Sequence, residues 1–359
     1  MNNSSLKNKW RWGIAVLLIC ATGIAGLALW LGGAAFLNQD PIFHGKPESE
    51  WIRNLKYSDD QQVKEWKSYR EEGVQVLIRG LQKATHPGER AYRRLNRHLP
   101  ALLRAWLPPP KQDSTQATRE CLVSLLWSLG SDARSAASVM IGTVINDESD
   151  GVRQSAIGYF NSSGDENSPL NRLTAEEKKE LLPGLIRAIQ DTGNWGLRNN
   201  AALTLKYYPE QREVVGPVLV KALQDSQPYV RLYAAEALNR VDPDAAKNAG
   251  ATSLLITTSK DSDDQVASKA VAALGHAGSQ PDLAVPALVD CLQSTNTLIG
   301  CEAVWALEWA PKEFNGYSDT IIAALANSVQ RKDDVGGYAK AALARWKAKG
   351  AVSGIRNHR

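Results

Sequence analysis

The sequence predicts an all-α, right-handed solenoid of stacked helical hairpins, with one transmembrane helix at the amino terminus. Three observations predict this fold class. The chain has 359 residues, which is more than one hydrophobic core usually organises. A nine-residue apolar pattern recurs through most of the chain beyond residue 110. Residues 13–37 form an uninterrupted uncharged run.

The composition favours a folded protein without a general affinity for nucleic acid. Hydrophobic residues make up 43% of the chain and charged residues 22%. The 42 Lys and Arg residues exceed the 38 Asp and Glu residues by a net charge of only +4. Such a balance excludes a disordered charged tail or a strongly basic coat for nucleic acid.

The uncharged run predicts a membrane anchor. Its 25 residues can cross the roughly 30 Å of bilayer hydrocarbon. Three cations precede the run, and acidic residues predominate after it, so the positive-inside bias keeps residues 1–12 in the cytoplasm. The predicted localisation is therefore a single-pass inner (plasma) membrane protein with extracytoplasmic repeats. A cleaved signal peptide is the alternative, since Gly33-Ala34-Ala35 resembles a cleavage site, although the run exceeds the usual apolar region of such signals.

The recurring pattern is clearest from Val230 to Leu238. An apolar residue is often followed by Arg, then by Ala four positions on and by a large apolar residue eight positions on. Copies start at residues 152, 197, 230, 266, 299 and 335, with separations of 45, 33, 36, 33 and 36 residues, and a weaker copy begins near Thr118. A period of this length indicates a solenoid of repeated units.

Each copy predicts the second helix of a hairpin. An apolar segment precedes it, and Pro183, Pro217 and Pro286 predict the starts of three first helices, because proline fits the first helical turn. The alanine four positions into each second helix predicts close helix packing. These alanines are Ala156, Ala201, Ala234, Ala270, Ala303 and Ala339.

The segment from Asp225 to Leu238 resembles HEAT repeats, especially the short bacterial type also found in phycobilisome lyases. The resemblance covers about residues 115 to 346. It implies a ladder that pairs a turn Asp with a helix Arg, as in Asp147/Arg153, Asp191/Arg198 and Asp225/Arg231. Later copies have Ala267, Gly300 and Gly336 in place of Arg, so the ladder is predicted to end near the middle of the stack. Repeats of this family mostly serve as binding scaffolds.

The predicted organisation has five segments. They are a cytoplasmic amino terminus at 1–12, a transmembrane signal anchor at 13–37, a lead-in and basic helical cap at 38–110, the HEAT-like solenoid at 111–346 and a basic tail at 347–359.

Catalytic and metal-binding patterns are absent from the sequence. It contains no GxSxG, HExxH, Walker A, GxGxxG or Cys/His zinc spacing, and its five histidines are scattered. We therefore predict no catalytic residue, no metal ligand and no cofactor, and a protein that is not an enzyme. Cys291 and Cys301 lie on the two helices of one repeat, where either a disulfide or two buried thiols would fit.

A partner-binding surface is predicted on the second helices, which line the concave side of a HEAT-like solenoid. Positions three, six and ten after each of the last five starts face away from the buried stripe, and five of these fifteen residues are Tyr or Trp. Aromatic and Arg side chains are frequent anchors of interfaces. The alternative is packing between repeats. The candidates are Tyr207, Tyr233, Arg240, Trp305, Trp309 and Tyr338.

Residues 79–111 form a basic segment with eight cations against Glu89, a net charge of +7. Leucines interleave these cations, so the segment is predicted to be an amphipathic cap with a solvated basic side. Its candidate patch consists of Arg90, Arg93, Arg94 and Arg97. Contact with anionic lipid is one alternative, and nucleic-acid binding is another that requires the opposite topology.

These observations predict a noncatalytic, membrane-tethered scaffold that holds a protein or peptide partner on the concave face. The alternatives are an accessory enzyme resembling a phycobilisome-type lyase, and binding of nucleic acid or anionic lipid through residues 79–111.

Overall fold

The computed structural model describes residues 40–85, 87–100, 104, 115–161 and 169–356. Contacts divide the chain into two compact units, Met1–Leu55 and Lys56–Arg359. The described part of the first unit is a short hairpin of antiparallel strands, β1 (Ile42–Phe43) and β2 (Lys46–Pro47), followed by α1 (Glu48–Arg53). His44 and Gly45 form its turn with φ of 45° and 79°, a left-handed conformation that glycine adopts without strain. These strands are an exception to the predicted all-α fold, and the protein is nearly all-helical.

The second unit is built from helices. They are α2 (Asp60–Ser68), α3 (Arg70–Thr85), α4 (Pro87–His98), α5 (Gln116–Leu129), α6 (Ala137–Asn146), α7 (Asp150–Phe160), α8 (Ala175–Ile189), α9 (Trp195–Leu205), α10 (Arg212–Ala222), α11 (Pro228–Val241), α12 (Pro243–Asn248), α13 (Ala251–Thr258), α14 (Asp264–Leu274), α15 (Pro281–Cys291), α16 (Thr297–Glu308), α17 (Ser318–Ser328) and α18 (Asp334–Arg356). Short 3-10 turns precede α6, α8, α10 and α17.

From α5 onward the helices stack as an α-solenoid. The hairpins are α6/α7, α8/α9, α10/α11, α13/α14, α15/α16 and α17/α18, and the short helix α12 is inserted in the connection from α11 to α13. The second helices also pack on one another in chain order, from α5 through α7, α9, α11, α14 and α16 to α18. We call this row the second-helix layer. The predicted solenoid is confirmed, and its handedness and the predicted segment boundaries at 110 and 346 stay predictions.

Small residues and capping side chains explain these helices. All six predicted packing alanines, from Ala156 to Ala339, have no exposed surface, so neighbouring helices approach closely where no longer side chain intervenes. Turn side chains accept hydrogen bonds from the free amides at the starts of second helices: Asn194 caps α9, Asp263 caps α14 and Asn296 caps α16.

The prediction that three prolines mark helix starts is wrong. Pro183, Pro217 and Pro286 lie inside α8, α10 and α15. In α8 the helix begins eight positions earlier than its proline, because Thr174 and Glu177 form a reciprocal capping box. Tertiary packing of the apolar face stabilises these helices despite the backbone hydrogen bond that each interior proline omits.

The predicted localisation is corrected by the structure. Among the described residues, no helix combines the length and the apolar character that a bilayer crossing requires. The longest described helix, α18, has 23 residues but carries Lys340, Arg345 and Lys347 in its sequence, and such charges are costly inside hydrocarbon. The predicted anchor, residues 13–37, lies outside the described residues.

Candidate partner-binding face

The six predicted partner-binding residues all lie on the second-helix layer or at the carboxyl ends of its helices. Trp309, Tyr338 and Trp305 are 68%, 45% and 38% exposed. We call these three residues the aromatic patch. Tyr207, Tyr233 and Arg240 are half-buried. The structure therefore separates the candidates into an exposed group on α16 and α18 and a partly covered group on α9 and α11.

Contacts between neighbouring repeats order the aromatic patch. The rings of Trp305 and Tyr338 meet edge to face, with centroids 5.2 Å apart. The guanidinium of Arg345 lies 4.0 Å from the centre of the Trp309 ring, and its Nε is 3.2 Å from Glu308 Oε1. A cation over an indole face is attracted by the ring's quadrupole. One face of Trp309 is thus held in place while most of its surface stays in contact with solvent.

A second group of polar side chains links α9, α11 and α14. Lys206 Nζ is 3.0 Å from Glu236 Oε1, Arg240 Nη2 is 3.6 Å from the same oxygen, and His276 Nε2 is 3.8 Å from it. Arg240 Nη2 also lies 2.6 Å from His276 Nε2. We call Lys206, Glu236, Arg240 and His276 the junction cluster.

The junction cluster buries its carboxylate and leaves cationic and imidazole groups nearer the surface. The Glu236 side chain is 9% exposed, whereas Arg240 is 33% and His276 38% exposed. Burial alone would raise the pKa of Glu236, but Lys206, His276 and Arg240 outweigh burial and lower that pKa. Burial and the nearby charge of Arg240 lower the pKa of His276 to about 4. At neutral pH His276 is therefore uncharged, and Glu236 is ionised.

The hydrogen bond to Arg240 also fixes the tautomer of His276. A guanidinium can only donate, so Nε2 of the neutral ring must accept and the ring proton is on Nδ1. The sequence pattern placed Glu236 and His276 on this face, but it missed Lys206, which follows the last residue of α9. Lys206 is one position before Tyr207 in the sequence. Its partner, Glu236, lies in the next repeat, and the spacing of residues along one helix does not predict contacts between repeats.

In the predicted Asp/Arg ladder, Arg119 and Arg198 pair with carboxylates of the next turn, whereas the shortest carboxylate contact of Arg153 is with Asp150 on its own helix. Arg198 Nε lies 2.7 Å from Asp225 Oδ2 in the next turn, while its Nη1 donates to the backbone carbonyl of Asp191 in its own repeat. Arg119 pairs in the same way with Asp147, at 2.7 Å. The predicted pairing within one repeat is therefore wrong for the carboxylates.

Two further predictions concern residues elsewhere. The basic patch of Arg90, Arg93, Arg94 and Arg97 lies on α4, and the side chains of these four arginines lie outside what the structure describes. Among the described cysteines, Cys121, Cys291 and Cys301 are all free thiols. The disulfide considered for the last two is therefore not formed, and burial raises the pKa of Cys291.

Comparison with known proteins finds a family match for one repeat and solved structures with a similar fold. Residues 215–243, which hold most of α10 and all of α11, match the family model described as HEAT repeat. A search of curated proteins finds no significant match. Kap121p has 13% sequence identity and a TM-score of 0.51, and the alignment covers 83% of this chain and 33% of Kap121p. The structure of Kap121p bound to Pho4p gives 13% identity, the same two coverages and a TM-score of 0.50.

An engineered protein from the Northeast Structural Genomics Consortium has 18% identity over 86% of this chain and 87% of its own, with a TM-score of 0.46. The alignment with Kap121p spans about a third of the length of that protein. The likeness to Kap121p supports the fold, and the matched model identifies the repeat within it. Within this α-solenoid, residues 215–243 are a HEAT repeat.

Proposed function

We propose that this protein is a noncatalytic scaffold that holds a protein or peptide partner on the exposed face of its second-helix layer. The observation that carries the proposal is the aromatic patch. Trp305, Trp309 and Tyr338 leave large parts of their rings in solvent on adjacent helices. Exposed aromatic clusters of this kind are typical of interfaces, where Trp and Tyr supply most of the binding energy.

The contacts of the patch suit it for binding. Arg345 holds one face of Trp309, and Tyr338 abuts Trp305, so these rings lose little conformational freedom when a partner covers them. Binding surfaces that are ordered in advance cost less entropy on association. Kap121p, whose fold resembles this one, has been solved bound to the protein Pho4p, so a stack of this kind is compatible with holding another protein.

Photo-crosslinking tests the proposal. A benzophenone amino acid replaces Tyr338 on the face, and in a control protein it replaces Tyr57, which is 58% exposed and lies far from the second-helix layer in sequence. We expect discrete crosslinked products from position 338 in cells that make the protein naturally, and none of these from position 57. Equal products from both positions, or none from 338, would contradict a binding role for this face.

A further inference from the structure

Members of the junction cluster and of the aromatic patch occupy one equivalent position in successive repeats. Tyr207, Arg240, His276, Trp309 and Arg345 each stand ten residues after the start of their repeat pattern. Arg240 contacts His276, and Arg345 contacts Trp309, so members of this row touch their neighbours across repeats. One extended ligand along the layer would therefore meet a polar region first and an aromatic region next.

The polar region favours an anionic ligand. Its carboxylate, Glu236, is buried and already accepts from Lys206, whereas Arg240 and His276 are the members of the junction cluster with the largest exposed fractions. The cluster carries two positive charges and one negative charge when His276 is neutral. Arg240 Nη2 lies 2.6 Å from His276 Nε2, and its ion pair with Glu236 Oε1, at 3.6 Å, is longer than that of Lys206, at 3.0 Å. The exposed Lys269 lies on the same face in the repeat of His276, and it interacts with Glu302 of the following repeat.

The aromatic region favours an apolar group. Trp305 and Tyr338 form an edge-to-face pair that is partly open to solvent. Both rings offer apolar surface, and the indole of Trp309 extends it. The packed second helices are spaced by about 10 Å, so α11 and α16, two steps apart, are separated by roughly 20 Å. That distance corresponds to about six residues of extended chain.

From this arrangement we propose that the partner presents an acidic peptide segment in which carboxylates bind at Arg240 and His276 and an apolar side chain about six residues away packs on Trp305 and Tyr338. The inference rests on the proposed function, because it specifies what the second-helix layer holds. Charge complementarity sets the register of the peptide, and the aromatic contact supplies most of the buried apolar area.

Binding of synthetic peptides to the full-length chain tests the inference by fluorescence anisotropy. The first peptide carries a Glu-Glu pair and a Leu-Phe pair separated by six Gly/Ser residues. In the second, Lys replaces both Glu residues, and in the third, Ser replaces Leu and Phe. We expect the second and third peptides to bind at least about tenfold more weakly than the first, and the affinity of the first to fall as salt is added. Peptides with spacings of two and ten residues should bind more weakly than the one with six.

Substitutions in the protein test where the acidic residues of the peptide bind. Arg240→Gln should weaken the first peptide about tenfold and reduce the salt dependence, whereas the matched control Lys247→Gln, which removes an exposed cation on α12, should change neither. Circular dichroism checks that each variant is folded. If Arg240→Gln does not fold, His276→Gln replaces it, with weaker binding of the acidic peptide expected.

Three outcomes would overturn the inference: equal or tighter binding of the Lys peptide, no binding of any peptide, or equal effects of Arg240→Gln and Lys247→Gln. Crosslinking from position 338 tests the scaffold proposal independently of the peptide experiments. A crosslinked partner together with preference for the Lys peptide would retain the scaffold and reject the acidic ligand.

Discussion

The amino-terminal and carboxy-terminal halves of the stack keep their repeats in register by different means. From α5 to α11, arginines near the starts of second helices connect successive turns. Arg119 and Asp147 form a bidentate pair in which both side chains are 1% exposed, and Arg198 repeats this geometry with Asp225 two repeats later. Arg231 still donates to the carbonyls of Asp225 and Ser226. Ala267 occupies the corresponding position in the following repeat, where the series of arginines stops.

The carboxy-terminal half fills the same position with direct apolar contact. Ala267 is fully buried. At Gly300, an added Cβ would lie 2.7 Å from Cγ2 of Val335, the first residue of the next repeat pattern. A neighbouring valine therefore fills the space beside Gly300. One arginine still links turns in this half, since Arg331 donates to the carbonyls of Leu292 and Ser294.

The same repeat register can therefore be specified by buried charge or by close packing. A buried ion pair gives directional contacts, but its net contribution is limited because both charges lose hydration. Glycine and alanine give no direction, but they let adjacent helices approach and gain dispersion contacts. The junction cluster lies at the boundary between the two halves of the stack, because it joins α11, which carries the last arginine of the ladder, to α14.

Arg119→Met is expected to have the largest effect on stability. The substitution leaves the buried carboxylate of Asp147 without its cation, and breaking a buried pair in this way costs about 3 to 5 kcal/mol. Chemical denaturation followed by circular dichroism measures the change. Arg231→Met is the control from the end of the ladder, where the guanidinium donates to two backbone carbonyls, and should cost about 1 kcal/mol. Similar losses in both variants would show that burial of the carboxylate does not distinguish the two sites.

Gly300→Ala tests the close packing of the other half. The new methyl group would overlap Val335 Cγ2, and overpacking of a tight contact costs about 1 to 3 kcal/mol. Gly337→Ala is the matched control, because a Cβ there has no neighbour within 4 Å and alanine favours a helix interior. That control should stabilise the protein by about 0.5 to 1 kcal/mol. Thermal unfolding midpoints that rise in both variants would mean that Val335 moves aside without cost.

The sequence predicted the parts of this fold that depend on periodicity within a helix. The buried alanines and the second helices follow from the nine-residue pattern, as the packing of Ala234 and Ala270 shows. Contacts between repeats were harder to predict from the sequence. The carboxylate partner of Arg198 lies 27 residues away, and spacing alone does not determine whether a long side chain reaches its own turn or the next. For the same reason Lys206 was missed as the partner of Glu236.

Trp309→Ala distinguishes a binding residue from a packing residue in the carboxy-terminal half. The ring is 68% exposed, so its removal should lower stability by about 1 kcal/mol, largely through loss of the contact with Arg345. Binding of the partner crosslinked at position 338 should weaken by about 2 kcal/mol or more. Tyr57→Ala, at a 58% exposed tyrosine outside the second-helix layer, is the control and should leave binding unchanged. A stability loss of about 3 kcal/mol for Trp309→Ala would instead indicate a packing role.

His276 is expected to give the smallest effect, a dependence of the junction on pH. Its pKa in the folded protein is about 4, below the ordinary value of 6.5, so protons bind more readily to the unfolded chain between these values. The stabilisation is complete above pH 6.5 and is lost as the pH falls toward 4. Because the side chain is 38% exposed, solvent screening limits the loss to about 1 kcal/mol or less. The lowered pKa of Glu236 acts below its ordinary value of 4.5 and therefore contributes little above pH 5. Denaturation at pH 7.5 and pH 5 should show a smaller acid-induced loss in His276→Gln than in the unchanged protein, and equal losses would exclude His276 as the titrating group.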